Sequence, residues 1–532
     1  MNAGIVILLT LLWSICAAQS PATYTNPVIA GDFPDPTVIR VGEDYWAMAT
    51  TGGWAPHYPV LHSRDLVNWK VVGAVFQKPP AWVKGDFWAP ELVEDRGRFF
   101  VFYTARREEG TKKTGKLCVA VAIANSPAGP YTDHGPLVCQ IPELKNVGSI
   151  DAFFIRDERG EPYLVWKADG NDAEPDEPTS IFAQRLSENG TKLLGKRKEI
   201  LRNTADWERL VTEGSFIMQR DGWFYHFYSG NACCGRGCRY ALGVARARKL
   251  LGPWEKHPKN PILAANDDWQ CPGHGSIVTT PDGRDFLLYH AYRNRRDAFN
   301  VGREALLDEV KWGADGWPSI NEGRGPSTVA AAPLGVAKRG DELSLFEGFT
   351  AALLPAGWQW PMSSGQTMGV EPASGGYLVI APAVNGARAD DVTGAVLAHR
   401  TKSGDYVATT LVNLQGLAGG ALVGLSAFSW RNNSVGVAAG GGKVSTWRRE
   451  EGKQETIATA DAPNSTSVYL RMTASGGESY RFAISADGRN WKEIGAPVNG
   501  SHVEGARVAL TASGPGAKFD WLRLTPTSAD KK

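Results

Sequence analysis

One pattern of apolar and polar positions returns five times between residues 24 and 325. In each copy, a turn with glycine and acidic residues precedes a strand rich in aromatic residues. The copies read VGEDYWAMATT, EDRGRFFVFYTA, DERGEPYLVWKA, QRDGWFYHFYSG and TPDGRDFLLYHAY. Their turn glycines lie 55, 63, 62 and 61 residues apart, at Gly42, Gly97, Gly160, Gly222 and Gly283. This spacing predicts a repeated unit that is built on a β-hairpin.

Each copy is followed by a second stretch with the pattern of another hairpin, such as VLHSRDLVNWKVVG after the first copy. Every unit therefore supplies about four strands, which is the content of one propeller blade. The five units predict a five-bladed β-propeller over residues 24–325.

The pattern changes after Ile320. Residues 326–343 belong to a stretch rich in Gly, Ala and Pro, which predicts a linker. Residues 344–527 alternate apolar and polar positions in short runs such as YVATTLV, VYLRMTA and ARVALTA, bounded by Gly, Asn and Asp turns. This alternation predicts a β-sandwich. The expected fold class is therefore all-β, a propeller followed by a sandwich.

Composition narrows the classes of function. The 532 residues are 43% apolar and 21% charged, with a net charge of +1. These values argue against disorder and against a surface that tracks nucleic-acid phosphates. We therefore expect no nucleic-acid partner.

The N-terminus has the pattern of a targeting segment. Residues 5–15, IVILLTLLWSI, form an apolar run too short to span a bilayer, and the small residues Cys16, Ala17 and Ala18 follow. The pattern predicts a signal peptide over residues 1–18, a secreted or periplasmic protein, and no membrane association after cleavage.

The chain after residue 18 keeps six cysteines, for which an oxidising compartment permits disulfides. The cluster from Cys233 to Cys238 lacks paired Cys-x-x-Cys spacing, which favours disulfides over a metal site there. The sequence leaves the pairing open among Cys118, Cys139, Cys233, Cys234, Cys238 and Cys271.

The repeat places polar residues at equivalent positions of the blades. The position nine residues before the turn glycine holds Trp88, Asp151, Glu213 and His274, and Asp35 corresponds to it in the first blade, whose turn is shorter. The innermost strands of a propeller begin near one end of a central channel, so we expect these side chains to converge there. Since uncompensated charges are costly to bury, they predict a ligand site at the axis.

Three converging carboxyl groups suit the cleavage of a glycosidic bond. One protonates the departing oxygen, a second activates water, and a third raises the pKa of the acid by crowding. Trp88 would give a sugar ring an apolar face. Taken singly, each residue also has a structural interpretation, such as Asp35 as a turn residue between two prolines. The matched register favours the catalytic interpretation.

Five motifs carry a resemblance to a known family. They are NPVIAGDFPDPT from Asn26, WAPE from Trp88, SID from Ser149, TEG from Thr212 and GHG from Gly273. Over residues 24 to about 325 the chain resembles glycoside hydrolase family 43, which comprises inverting hydrolases of arabinose- and xylose-containing polysaccharides on a five-bladed propeller. The sandwich resembles the concanavalin A-like domain that follows the propeller in some members, especially β-xylosidases.

The resemblance implies a role for each site residue. Asp35 resembles the general base, Glu213 the general acid, and Asp151 the residue that raises the pKa of the acid and orients it. Trp88 and Arg303 resemble substrate-binding residues, although from the residues alone Arg303 could equally pair with a surface acid.

His274 resembles the axial histidine that in many members lies beside a hydrated calcium ion. The resemblance thus implies a Ca²⁺ site, with water completing the shell because one imidazole is a poor calcium ligand. From the residues alone, a structural hydrogen-bonding role fits His274 as well.

The leading hypothesis is an exo-acting, inverting hydrolase that releases α-L-arabinofuranosyl or β-D-xylosyl units from plant polysaccharide fragments. One alternative is endo-cleavage of arabinan, and another is a propeller that binds sugar without cutting it. The sandwich could bind sugar, close one side of the active-site pocket, or bury a face of the propeller.

Overall fold

The computed structural model describes residues 22–107, 116–144, 147–172, 177, 179–294, 298–335, 344–363, 366–371, 376–383, 391–429 and 433–527. Its strands form five four-stranded antiparallel sheets, two larger sheets and one two-stranded sheet. The predicted all-β fold, a five-bladed propeller followed by a β-sandwich, is confirmed. The predicted signal peptide lies outside the described residues.

The five blades follow one another along the chain. Their strands are Thr37–Val41, Asp44–Met48, His57–Ser63 and Lys70–Phe76; Gly85–Asp95, Arg98–Arg106, Leu117–Ala124 and Thr132–Val138; Ser149–Arg156, Pro162–Ala168, Ser180–Leu186 and Leu193–Arg202; Thr212–Arg220, Trp223–Gly230, Ala241–Ala247 and Glu255–Lys256; and Trp269–Thr279, Asp285–Arg293, Glu304–Trp312 and Pro318–Ile320. The helical segments described are Ala298–Val301, an α-helix, and the 3₁₀ turns Pro142–Leu144, Gly170–Asp172, Asp206–Glu208, Asn321–Gly323 and Pro333–Gly335.

The first strand of each blade lies innermost. These five strands contact one another in a closed ring, in which the fifth blade meets the first. Aromatic side chains of the repeat fill the spaces between blades; Phe100 and Phe102 of the second blade, for example, pack with Trp166 of the third. The aromatic positions of the repeated pattern therefore supply the cores between blades, and the inner strands are left to line the axis.

The N-terminal segment fastens the first blade to the fifth. Thr23–Thr25 pairs with Val329–Ala331, which lies in the stretch predicted as a linker. Farther along, the amide of Ile29 donates to the carbonyl oxygen of Ala305 at 3.2 Å. These bonds hold the segment that leads to Asp35 against the end of the fifth blade.

The sandwich consists of two antiparallel sheets around one apolar core. The first sheet has the order Thr367–Glu371, Tyr377–Ala381, Ala517–Pro526, Tyr406–Asn413, Ser467–Ser475, Ser479–Ser485 and Lys492–Glu493, with Leu345–Glu347 beside Ala517–Pro526 and Val498–Asn499 beside Ser479–Ser485. The second sheet has the order Lys453–Asp461, Lys443–Glu450, Ser434–Gly440, Val423–Phe428, Arg507–Ala512, Ala395–Arg400, Trp358–Pro361 and Trp54–Ala55.

The last strand of that second sheet belongs to the propeller. Trp54–Ala55, from a loop of the first blade, pairs with Trp360 and Pro361 of the sandwich. The Trp54 side chain is fully buried and packs edge-on against Phe428. The two domains therefore share one continuous sheet.

Disulfides join three pairs of cysteines. They are Cys118 with Cys139, Cys233 with Cys234, and Cys238 with Cys271. The third bond ties the loop after the second strand of blade four to the inner strand of blade five. Within the described ranges, no helix is long and apolar enough to cross a membrane.

Candidate active site

The axial residues predicted from the repeat meet at one end of the inner-strand ring. Nδ1 of His274 lies 3.5 Å from Oδ1 of Asp35 and 3.9 Å from Oδ2 of Asp151. Oδ2 of Asp151 accepts the amide of Gly214, the residue after Glu213, at 3.2 Å. The structure thus brings residues of blades one, three, four and five together around His274.

Arg303 and Trp88 belong to the same cluster. Nη1 of Arg303 donates to Oδ1 of Asp35 at 2.9 Å, so this arginine pairs with the site and not with a surface acid. Trp88 is partly exposed, and the next amide, that of Ala89, donates to Thr50 Oγ1, which itself donates to Asp35 Oδ2. One hydroxyl therefore fixes the backbone beside Trp88 relative to the Asp35 carboxylate.

A backbone irregularity presents these side chains to the axis. In blades two to five, the register of the inner strand shifts at or directly beside the site residue. Each of the five blades has a residue with positive φ at this level: Asp35, Ala89, Asp151, Gly214 and His274. Bulges of this kind re-aim side chains, and a left-handed conformation costs free energy in any residue but glycine. The strained backbone therefore lies at the level where the side chains of the five blades converge.

A ring of five polar residues holds this level of the axis; four lie on second strands of the blades, and Thr50 lies just after one. Each of them bonds to the inner strand of the following blade or to the segment that leads into it: Thr50 to the Ala89 amide, Thr104 to the Asp151 amide, Lys167 to the Glu213 carboxylate, Ser229 to the His274 amide, and His290 to the Asp35 amide. The sequence interpretation missed all five. The repeat does contain the signal, because four of them lie seven residues after the turn glycine and Thr50 lies eight after it.

Asp35 is a buried but ionised carboxylate. Burial alone would raise its pKa, but Arg303, His290 and His274 outweigh burial and hold the pKa of Asp35 well below the usual range of an aspartate. Nδ1 of His290 lies 3.2 Å from Oδ1 of Asp35. Asp35 therefore carries its negative charge at neutral pH.

Glu213 is held from two sides. Nζ of Lys167 lies 2.5 Å from Oε2 of Glu213, and the hydroxyl of Tyr240 donates to Oε1 at 2.8 Å. Lys167 is 1% exposed and also contacts Oδ1 of Asp169 at 2.9 Å. The ring of Tyr240 stacks on His290, with 5.7 Å between ring centres. Because His290 contacts Asp35, the Tyr240–His290 stack fixes Glu213 and Asp35 relative to each other.

Asp151 differs from Asp35 in its charge state. Burial, together with the negative charges of Glu213 and Asp35, raises the pKa of Asp151 to about 7, against the opposing effect of His274 and Lys167. The cluster thus contains an ionised carboxylate at Asp35 and, at Asp151, a carboxyl group that is partly protonated at neutral pH.

The residues around His274 do not form a cage for a directly bound cation. Among the described residues, no group of three or more His, Cys, Asp or Glu side chains is arranged to hold a metal ion. Nδ1 of His274 faces two carboxylates, and its ring lies against Gly214, where an added Cβ would be 2.9 Å from Cγ of the imidazole. The hydrated Ca²⁺ beside His274 stays a prediction.

A cluster at the propeller axis with an ionised aspartate, a second aspartate of raised pKa, a glutamate, an arginine and a tryptophan is the arrangement of a glycosidase. The sequence profile described as glycosyl hydrolases family 43 matches residues 24–318. The profile of the beta xylosidase C-terminal concanavalin A-like domain matches residues 347–525. The chain therefore belongs to glycosyl hydrolases family 43.

Individual relatives agree with this assignment. Xylosidase/arabinosidase 43B of Humicola insolens is 32% identical over 321 residues, which are 58% of this chain and 57% of that protein. The extracellular exo-α-(1→5)-L-arabinofuranosidase ArbA of Cellvibrio japonicus is 28% identical over 320 residues, 55% of this chain and 87% of that protein. The chain therefore matches less than two thirds of the length of the first of these relatives.

One solved structure matches across both domains. The crystal structure of the family-43 protein BlXynB from Bacillus licheniformis superposes with a TM-score of 0.80 at 27% identity, and covers 95% of this chain and 100% of that chain. The arrangement of propeller and sandwich is thus shared with that protein.

Proposed function

We propose that the protein is an exo-acting, inverting glycosidase that releases α-L-arabinofuranosyl or β-D-xylosyl residues from plant polysaccharide fragments. The convergence of Asp35, Asp151 and Glu213 at one end of the propeller axis carries this proposal. The printed names of the relatives, a xylosidase/arabinosidase and an exo-arabinofuranosidase, support the class of sugar.

Asp35 acts as the general base in this proposal. Its carboxylate is ionised, and Arg303, Thr50 and His290 fix its orientation. An ionised carboxylate opposite the leaving group removes a proton from water as the water attacks the anomeric carbon. Inversion follows, because the water attacks the face opposite the departing oxygen.

Glu213 acts as the general acid. The pKa of Asp151, raised to about 7, supports acid chemistry at this level of the axis, because the site contains a carboxyl group that holds a proton near neutral pH. Asp151 also orients the acid, because its Oδ2 accepts the amide of Gly214 and so fixes the backbone of the strand that carries Glu213.

Arg303 and Trp88 bind the sugar. Arg303 lies against Asp35, with 17% of its side chain exposed, so its remaining N–H groups can donate to a sugar hydroxyl beside the base. Trp88 is partly exposed at the same level and offers an apolar face for a sugar ring.

Two further aspects rest on this assignment. The sandwich packs against the loop that carries Arg303, which supports a pocket closed on that side and hence exo action. The expected signal peptide, together with the printed description of ArbA as extracellular, supports secretion or export to the periplasm.

A substrate panel tests the proposal. Nitrophenyl arabinofuranoside, xyloside and galactoside, with linear arabinan beside them, should show release of one pentose and only monosaccharide from a polymer. Asp35→Asn and Glu213→Gln should each lower kcat by about 100- to 10,000-fold. Asp285→Asn is the matched control, because Asp285 is a buried aspartate at the other end of a blade-five strand.

Several results would overturn the proposal. Sugar release at the wild-type rate by both variants would remove the catalytic assignment, and oligosaccharide products would favour the endo-arabinanase. Proton NMR should show the inverted anomer first, and a retained anomer would contradict inversion. No release from any substrate would leave a sugar-binding propeller.

A further inference from the structure

The sandwich bonds directly to the segment that precedes Arg303. The amide of Gly505 donates to the Phe299 carbonyl at 2.8 Å, and the amide of Ala506 donates to the Asn300 carbonyl at 2.6 Å. In return, Nδ2 of Asn300 donates to the carbonyls of Gly500 and Val503 at 3.2 and 3.0 Å. The short helix Ala298–Val301 is therefore fixed to the sandwich three residues before the arginine that contacts Asp35.

Asp32 connects this segment to the sandwich a second time. Its Oδ1 accepts the backbone amide of Arg303 at 3.3 Å, and its Oδ2 lies 3.5 Å from Nη2 of Arg507. Its carbonyl oxygen accepts Nε of Arg400 at 2.9 Å. Asp32 thus lies between a catalytic-site loop and two arginines of the other domain.

The approach of Asp32 to that loop is close enough to demand glycine. Gly302 has φ +98°, and an added Cβ there would lie 2.5 Å from Oδ1 of Asp32. The next residue pair is bonded as well, since the amide of Phe33 donates to the Arg303 carbonyl at 2.8 Å. A shift of Asp32 therefore displaces the Arg303 backbone, because no space between them can absorb it.

Arg507 contacts the propeller at the Asp32 carboxylate and at the ring of Trp54. It is fully buried, its Nε donates to Oε1 of Gln359 at 2.8 Å, and its Nη1 donates to the Gly505 carbonyl at 2.9 Å. Its guanidinium also lies 4.3 Å from the ring centre of Trp54. Burying a cation costs desolvation free energy, so it adds little to the stability of a domain interface, but its bonds fix one geometry.

We propose that Arg507 of the β-sandwich is a positioning residue of the active site: it holds Asp32 against the Gly302–Arg303 segment and so aims the Arg303 guanidinium at Asp35. The inference rests on the proposed function for its kinetic consequences but not for its geometry. It gives the sandwich a part in catalysis through the position of Arg303.

The experiment compares Arg507→Met and Arg507→Lys with wild type in the full chain. Misplacement of Arg303 should lower kcat/KM by about 100-fold in Arg507→Met. The loss should fall on kcat as well as on KM, since Arg303 contacts the proposed base Asp35 and, in the proposed function, also the sugar. Arg507→Lys keeps the charge and should recover part of both effects.

Arg449→Met is the matched control. Arg449 pairs with Asp391 at 2.8 Å entirely inside the sandwich. This variant should lower the melting temperature and leave kcat and KM unchanged below it. A loss of kcat/KM as large in the control as in Arg507→Met would overturn the inference.

Crystal structures of wild type and variants supply a readout that needs no activity. Nη1 of Arg303 should leave Oδ1 of Asp35 in Arg507→Met and keep the contact in the control. If Arg507→Met does not fold, Asp32→Asn replaces it, because the amide keeps the shape of Asp32 and removes only its charge. An intact Arg303–Asp35 contact with an unchanged kcat/KM would show that Arg507 only docks the domains. A wild type that cleaves no glycoside would end the proposed function, and the crystal structures would still decide the positioning role.

Discussion

Replacement of Lys167 by methionine should move the basic limb of kcat/KM to higher pH, whereas a general loss of stability would narrow the pH range of activity. Lys167 is buried between Glu213 Oε2, at 2.5 Å, and Asp169 Oδ1, at 2.9 Å. The methionine fills a similar volume but removes the cation. Two buried carboxylates then lose their shared counter-charge.

The magnitude follows from the burial. Breaking one partner out of a buried ion pair costs about 3–5 kcal/mol of the free energy of unfolding. Lys167 also lowers the pKa of Asp151, which is raised to about 7 overall, so its removal lets that pKa rise further. An adjacent opposite charge moves a carboxyl pKa by about one to three units, and the basic limb of kcat/KM should move up by that amount.

The sign of the stability effect can be stated for Asp151. Its folded pKa, about 7, lies above the ordinary value of 3.8, so a protonated Asp151 contributes stability that is full below about pH 4 and is lost as the pH rises through 7. In Lys167→Met this loss extends to higher pH. The deficit in melting temperature against wild type should therefore be small at pH 4 and larger at pH 8.

The assay measures kcat/KM with a nitrophenyl glycoside from pH 4 to 10, with thermal unfolding at the same values. Wild type should lose activity above about pH 7. Lys256→Met is the control, because Lys256 lies 2.6 Å from the buried Glu208 and contacts no site residue named above. It should lower stability without moving the limb. A basic limb that stays in place or moves down in Lys167→Met would refute the assignment of that limb to Asp151.

Two other substitutions test separate parts of the site. Arg303→Met should raise the pKa of Asp35, because burial then acts unopposed by the guanidinium, and should lower kcat/KM by about 100-fold because the base loses its orientation; an unchanged kcat/KM would remove Arg303 from the base. Gly214→Ala should lower both melting temperature and kcat, since φ is +61° and the new Cβ would lie 2.9 Å from His274. Gly160→Ala has φ +80° and open space around it, so it should cost only the backbone strain of about 1–2 kcal/mol, and an equal loss of kcat in both variants would contradict the packing argument.

The repeat carried most of what the sequence could predict. Its period predicted five four-stranded units, and its register predicted which residues would meet at the axis, because pseudo-symmetric strands begin at one level. The carboxylates of Asp35 and Asp151 each lie within 4 Å of Nδ1 of His274, although more than 230 residues separate Asp35 from His274. In a regular repeat, the position of a residue within its unit predicts where the residue lies in the propeller.

The supporting residues were not predicted because their role depends on contacts between blades. Thr104 and Ser229 are unremarkable strand residues until the neighbouring blade places an amide against their hydroxyls. The strand Trp54–Ala55 lies in the propeller by sequence, yet it pairs with a sandwich strand about 300 residues away. No local pattern of apolar and polar positions encodes that pairing.

The most direct test of the account separates base from acid by the leaving group. Asp35→Ala and Glu213→Ala are compared on an oligosaccharide and on a 2,4-dinitrophenyl glycoside of the sugar that the wild type releases. A good leaving group needs no proton, so Glu213→Ala should lose most of its rate on the oligosaccharide and keep far more on the dinitrophenyl glycoside, whereas Asp35→Ala should lose both. Equal losses of Glu213→Ala on the two substrates, or a dinitrophenyl rate that survives in Asp35→Ala, would contradict the assignment of the two carboxyl groups.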